Sequence, residues 1–310
     1  MIFNFYLGNH DSSGLRGMAD LLVPIYNGLE EAGHHVMGYG LGFRPAPAVN
    51  LIVEFFPDDA FVDSLLQLKA ASGDRLILGL LCTEDVEDAL VMQDPANPKR
   101  LANLMRVLKA VDFVWTLLPQ VPVLEAVCGP GKVALLEYGF SPRCLHPRLR
   151  TTPSSRTLDA VMYGNPSPHR RPIIDGLTAR GLSTFVIARD VLPMFVTADV
   201  MSRSKLVLDV RRGPGVRFLS PTRIVRALHV GVAVVAEDLG PSPISSLYRY
   251  TLACPYGELV ERGEQLIRSG LFVDLGLAAL EQFRVETSMA RNMAAALRLP
   301  VFERLAFRAV

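Results

Sequence analysis

Arginines recur in this chain where apolar, strand-like runs give way to loops and helix starts. Arg170 and Arg171 stand in "YGNPSPHRRP", Arg211 in "LDVRRGPG" and Arg223 in "SPTRIVRALH". A cation in the first turn of a helix opposes the helix dipole unless an anion lies between them. A diphosphate is such an anion, and guanidinium groups can grip it in pairs. Gly164 and Asn165 supply the turn before Arg170 and Arg171. Ser220 suits an N-cap and Pro221 the first helical position, which places Thr222 and Arg223 in the first turn. Glu237 and Asp238 close the next apolar run, where a carboxylate can accept hydrogen bonds from ribose or sugar hydroxyls. Arg226 lies three residues after Arg223, on the same helix face, and the anion argument does not account for it.

A second constellation opens the chain, in "GNHDSSGLRGMAD". Histidine as a residue type has an unperturbed pKa near neutrality, which makes His10 a candidate general base. Asp11 can orient it or be the base itself, or merely cap the helix that follows. Ser12, Ser13 and Gly14 read as a small loop, with a helix beginning near residue 15 and Arg16 in its first turn. Ser13, Gly14 and Arg16 are thus expected beside His10 and Asp11.

Several signatures are missing. There is no G-x-x-x-x-G-K-[ST] loop, no G-x-S-x-G elbow and no H-E-x-x-H. "GYGLGF" lacks dinucleotide-fingerprint spacing. These absences weigh against a P-loop NTPase, a simple dehydrogenase and a typical serine hydrolase, and no metal site is expected.

The elements that must position these residues follow from alternation. Strand-like runs are expected at 2–7, 36–39, 51–56, 76–82, 113–117 and 133–138. Helices are expected at 15–32, 60–71, 99–110 and 122–128. Residues 141–157, rich in Pro, Ser, Thr and Arg, read as a linker. Strands are then expected at 158–163, 184–188, 206–210 and 232–236. Helices are expected at 172–180, 221–230, 256–269 and 271–297, the last broken near Gly276 or Glu286. Such alternation predicts βαβ units and parallel sheets. The 310 residues, half of them hydrophobic, are enough for two domains. No apolar run approaches the roughly 20 residues that cross a bilayer, and the four well-separated cysteines point to a reducing cytoplasm. Residues 1–150 hold 12 Lys+Arg against 17 Asp+Glu, a balance of −5. The remainder holds 20 against 14, a balance of +6, which suits a second half that meets an anion.

"DAVMYGNPSPHRRPIIDGLTARGL", "SKLVLDV" and "SPTRIVRALHVGVAVVAED", in that order, resemble the donor-domain blocks of GT-B glycosyltransferases. The resemblance is greatest to the CgeB-like bacterial group, related to a spore protein. "VDFVWTLLPQVPVLEAVCGPGKVALLEYGFSPR" resembles the end of that family's first domain. The resemblance spans about residues 110–240. It implies an α/β fold of two Rossmann-like domains facing a cleft, with C-terminal helices crossing back to the first. Residues 1–145, joined by about 286–310, would form the acceptor-side domain, and 155–285 the donor domain. It also implies a metal-independent, cofactor-free glycosyltransferase of hexosyl-transfer type. This would take a nucleotide-diphosphate sugar as co-substrate and a sugar, glycan or other hydroxylated acceptor, with no nucleic acid partner. Arg226 departs from the pattern, because relatives place a glutamate there that contacts the donor. Glu237 would take over that role, or the donor is held differently, or activity is altered. The alternatives are a catalytically degenerate sugar-binding or scaffold protein, or a nucleotide-sugar epimerase on the same scaffold.

Overall fold

The computed structural model describes residues 1–10, 12–88, 92–93, 95–188, 193–240 and 245–308. The chain divides into two compact units. In the first, strands β1 (Ile2–Tyr6), β2 (His35–Gly40), β3 (Ala48–Val53), β4 (Ile77–Cys82), β5 (Phe113–Thr116) and β6 (Val133–Leu135) form one sheet in the order β2-β1-β3-β4-β5-β6. Every pairing in it is parallel. Every residue of β3 and β4 is buried, as expected of strands covered on both faces. Helices α1 (Ser12–Glu31), α2 (Asp59–Ser72), α3 (Arg100–Ala110) and α4 (Val121–Cys128) supply the connections.

Helix α1 begins at Ser12, so the small-residue loop expected at 12–14 is helical. A glycine inside a helix costs about 1 kcal/mol. The buried stripe of Met18, Leu21, Leu22, Ile25 and Leu29 offsets that cost and carries the helix through Pro24 as well.

In the second unit, β7 (Leu158–Tyr163), β8 (Thr184–Ile187), β9 (Ser204–Asp209), β10 (Ala233–Glu237) and β11 (Leu252–Cys254) form a parallel sheet in the order β11-β10-β9-β7-β8. Helices α5 (Arg171–Ala179), α6 (Met194–Ser202), α7 (Pro221–His229), α8 (Leu259–Ser269) and α9 (Phe272–Glu286) accompany it. Strand β11 and helix α6 had no counterpart in the sequence reading. β11 is only three residues long, and the apolar residues of α6 show little one-sided periodicity.

The second unit begins at Tyr138, and the expected linker at 141–157 is packed into it. Arg156, 2% exposed, donates to the carbonyls of Ser204 (3.0 Å), Gly231 (2.7 Å) and Arg150 (3.0 Å). Burial and the nearby Arg150 push its pKa down to about 10. Residues 16–24 of α1 also count with this unit. The final helices α10 (Met289–Ala296) and α11 (Pro300–Arg308) count with the first unit. There Trp115 Nε1 donates to the Ala296 carbonyl (3.3 Å), and Phe302 packs 4.7 Å from Phe113 between ring centroids.

Of the two expected break points, the one at Glu286 is where α9 ends, with Thr287 as its C-cap, and the helix runs unbroken through Gly276. Gly276 serves packing. A Cβ there would lie 2.5 Å from the Gly231 carbonyl oxygen and 2.7 Å from the Ala233 nitrogen. Only a bare Cα lets α9 approach the backbone entering β10. Gly276→Ala is therefore expected to destabilise the protein by about 3 kcal/mol, since backbone atoms cannot swing aside. Urea unfolding measures this, and a loss below about 0.5 kcal/mol would contradict the close approach.

Candidate functional site

In open parallel sheets, ligands bind beyond the carboxyl ends of the strands, at the point where the strand order reverses. In the second unit that point lies between β7 and β9. The loop leaving β7 carries Gly164 and Asn165 and leads into α5, and the loop leaving β9 carries Arg211. The start of α7 and the end of β10 complete the group. Gly164 has φ +113, a left-handed conformation suited to glycine, and a Cβ there would lie 3.1 Å from Arg170 Nη1.

Arg170 caps α5 by position and is 6% exposed. Its Nε donates to the Val210 carbonyl (2.9 Å) and its Nη1 to the Asn165 carbonyl (2.9 Å). Arg223, in the first turn of α7, also donates to the Val210 carbonyl (3.1 Å) and pairs with Asp209 Oδ1 at 2.8 Å. Two guanidinium groups therefore converge on one carbonyl beside one carboxylate. Burial and then Arg223 push the pKa of Arg170 down to about 9. Burial raises the pKa of Asp209, against the pull of Arg223 and Arg170.

Glu237 ends β10, and its side chain is fully buried. Its Oε1 accepts from Arg211 Nε (2.9 Å) and Nη2 (2.5 Å), and its Oε2 from the Arg211 backbone N–H (3.0 Å). His169 Nε2 donates to the same carboxylate at 3.1 Å. Burial raises the carboxyl pKa, but the bonds from Arg211 and His169 outweigh it and hold it below the ordinary glutamate value. Tyr256 stacks on the His169 ring at 4.2 Å between centroids and donates to the His169 carbonyl (2.7 Å). Tyr248 donates to the Glu237 carbonyl (2.9 Å).

The group of Arg170, Arg211 and Arg223 against the buried Asp209 and Glu237 leaves one positive charge. Arg171, Arg212 and Arg217 are exposed beside it in sequence. The first three cations, the N-termini of α5 and α7, and the exposed arginines make a surface able to take a multiply charged anion.

The residues expected at the donor site divide. Arg170 and Arg223 share the Val210 carbonyl, Asn165 accepts from Arg170, and Arg211 is bound separately to Glu237; Gly164 makes the turn over Arg170. Arg171 is exposed at the first position of α5. Ser220 takes the N-cap position of α7 without a side-chain cap bond. Thr222 hydrogen-bonds with the Tyr138 hydroxyl. Asp238 is exposed and accepts from the Gly240 N–H (2.9 Å). Asp209 and His169 were missed as members, although "LVLDVRR" does show a carboxylate closing an apolar strand.

Arg226 has a different partner. Its Nη2 pairs with Asp20 Oδ1 at 2.9 Å and donates to the Met194 carbonyl (2.9 Å). Tyr163 donates to the other oxygen of Asp20. Burial raises the pKa of Asp20, against the pull of Arg226 and Tyr163. The acid beside Arg226 thus comes from α1. No spacing rule in the sequence links positions so far apart.

In the first unit, His10 follows β1, beside the sheet's own reversal between β1 and β3. Its ring stacks on Phe55 at 5.8 Å between centroids. Asp11 lies outside the described residues. Ser13, Gly14 and Arg16 lie in the first turns of α1. A buried polar cluster that the sequence reading did not single out lies near the ends of β3 and β4. There Glu54 pairs with Arg100 (2.6 Å) and accepts from the N–H groups of Thr83 and Glu84, both at 3.1 Å.

No family model matches the chain, and no curated protein matches it by sequence. Among solved structures, TarM aligns with a TM-score of 0.53 at 11% identity, over 81% of this chain and 54% of that one. A point mutant of S. aureus TarM, in complex with fondaparinux, alpha-GlcNAc-glycerol and UDP, aligns with a TM-score of 0.54 at 10% identity. That alignment covers 81% of this chain and 55% of the other. The chain thus spans about half the length of these structures. The likeness is one of fold: two parallel α/β sheets flanked by helices, of the GT-B class. Among the described residues, no helix is long and apolar enough to cross a membrane.

Proposed function

We propose that the chain is a glycosyltransferase of the CgeB-like kind, moving a sugar from a nucleotide-diphosphate donor to a hydroxyl-bearing acceptor without a metal. The observation that carries this reading is the convergence of Arg170, Arg211 and Arg223 at the strand ends of the second unit, beside two helix N-termini. As the bond from sugar to diphosphate breaks, negative charge grows on the leaving oxygens. Fixed cations and backbone N–H groups stabilise that charge with little reorganisation. Glu237, itself fully buried, holds Arg211 and His169 in place. His10 or Asp11 would take the proton from the acceptor hydroxyl. The fold likeness to a protein crystallised with UDP supports a nucleotide ligand.

A second reading rests on Arg226. A cation bound to Asp20, where relatives place an acid, suits a degenerate transferase that binds sugars without transferring them.

Calorimetric titration with nucleoside diphosphates tests the donor site. The parent protein is expected to bind at least one of them, and Arg171→Ala and Arg223→Ala are each expected to weaken binding tenfold or more, as removal of a charge-assisted contact does. Unchanged affinity in both variants would sink the site. Turnover with a bound nucleotide sugar then separates the transferase from the degenerate reading.

A further inference from the structure

The Asp209 carboxylate is fully buried, yet neither of its oxygens accepts a hydrogen bond among the described residues. Its contact with Arg223 at 2.8 Å is an ion pair without hydrogen-bond alignment. Buried carboxylates are ordinarily saturated with donors, and one that is not calls for an explanation. A clamping role does not supply it. The Val210 carbonyl orients Arg223, and the Val210 and Asn165 carbonyls orient Arg170. What Asp209 contributes is charge. Without it, the buried Arg170 and the partly buried Arg223 would meet at the Val210 carbonyl with no carboxylate paired to Arg223.

We propose that Asp209 is a resident counter-anion, which offsets one of the two charges of the Arg170–Arg223 pair and so weakens the pair's hold on a diphosphate. This rests on the donor-site reading above. It assigns that site a built-in limit on affinity, one that favours release of the nucleoside diphosphate product. Burial, and then Arg223, lowers the pKa of Arg170, and burial raises that of Asp209, as expected of charges held away from water.

The test uses the full chain with Asp209→Asn, which keeps the shape, and Asp209→Leu, which keeps the heavy-atom branching but is bulkier and has no polar atom. Each is titrated with UDP, GDP, ADP, CDP and dTDP at fixed ionic strength, and melted with and without the diphosphate that the parent binds most tightly. Asp209→Asn is expected to bind that ligand about tenfold or more tightly than the parent, the order expected for one charge several ångströms away in protein. It is also expected to melt at a lower temperature when empty, and to gain more from ligand than the parent gains. Asp209→Leu is expected to behave likewise. If affinity is unchanged or weaker, Asp209 only positions Arg223, and the proposal falls while the donor site stands. If both variants fail to fold, Asp209 serves the fold alone and the proposal is equally overturned. If the parent binds none of the five diphosphates, the donor site itself is wrong and the proposal falls with it.

Discussion

Arg223→Ala is expected to cost about 3 kcal/mol of stability at pH 7, the lower end of what breaking a buried ion pair costs. The side chain it leaves behind is the reason. Asp209 is fully buried, has no hydrogen-bond donor among the described residues, and has Arg223 as its ion-pair partner. Deleting Arg223 strands that carboxylate, and it must then either stay charged in a poor medium or take up a proton. Proton uptake caps the cost, because burial already raises the Asp209 pKa, and Arg170 remains nearby as a weaker partner. Removing both charges should cost less than the sum of removing each. The double variant Arg223→Ala with Asp209→Asn is therefore expected to regain at least 1 kcal/mol over Arg223→Ala. Arg171→Ala, at an exposed position, is expected to stay within about 0.5 kcal/mol of the parent. Urea unfolding of the four proteins decides the matter. A loss below about 1 kcal/mol for Arg223→Ala, or no recovery in the double variant, would show that the pair carries little of the stability.

The anion demanded by a cation in the first turn of α7 is thus met from within the chain. Local spacing cannot tell a ligand's phosphate from Asp209, because it says nothing about which side chain a sheet brings alongside. Register does say it. Ala236 of β10 pairs with Asp209 of β9, which places Glu237 and Asp209 on neighbouring strand ends. The alternation of apolar runs and amphipathic segments was legible because every strand is parallel and its burial is written in its own residues. The sequence reading missed what depends on distant pairs: Asp20 beside Arg226, Gly276 against Gly231, and Arg156 holding the supposed linker down. Arg226 answers to the same logic. Its neighbours along α7 gave no reason for a cation, and its reason is an acid from α1.

Stability is expected to fall by about 3 kcal/mol between pH 6.5 and pH 4 on account of one histidine. His229, at the end of α7, is 3% exposed. Its Nδ1–H donates to the Val225 carbonyl (2.8 Å), and its Nε2 accepts from the Ser141 backbone N–H (3.2 Å). Phe140 stacks on one face at 5.5 Å between centroids, and Phe283 meets the ring edge-on at 5.4 Å. A ring nitrogen that accepts an N–H has no room for a second proton. Burial, and then the Arg226 charge, push the pKa from the ordinary 6.5 down to about 4. Above pH 6.5 the ring is neutral in both the folded and unfolded chains, so it adds no pH dependence. Between 6.5 and 4 the unfolded chain takes up a proton that the folded chain refuses. Each pH unit then costs about 1.4 kcal/mol, and the loss levels off below 4. Other carboxylates also make stability depend on pH: burial raises the pKa of Asp20 and of Asp209, and the bonds from Arg211 and His169 lower that of Glu237. The measurement is therefore a difference, urea unfolding of the parent minus that of His229→Gln at each pH. Glutamine can offer one donor and one acceptor but does not titrate, so the shared carboxylates cancel. The difference should change by about 3 kcal/mol across the window, with the parent losing more as the pH falls. A flat difference would mean that the protonated ring is tolerated, and that the Ser141 N–H does not hold Nε2 in the folded protein.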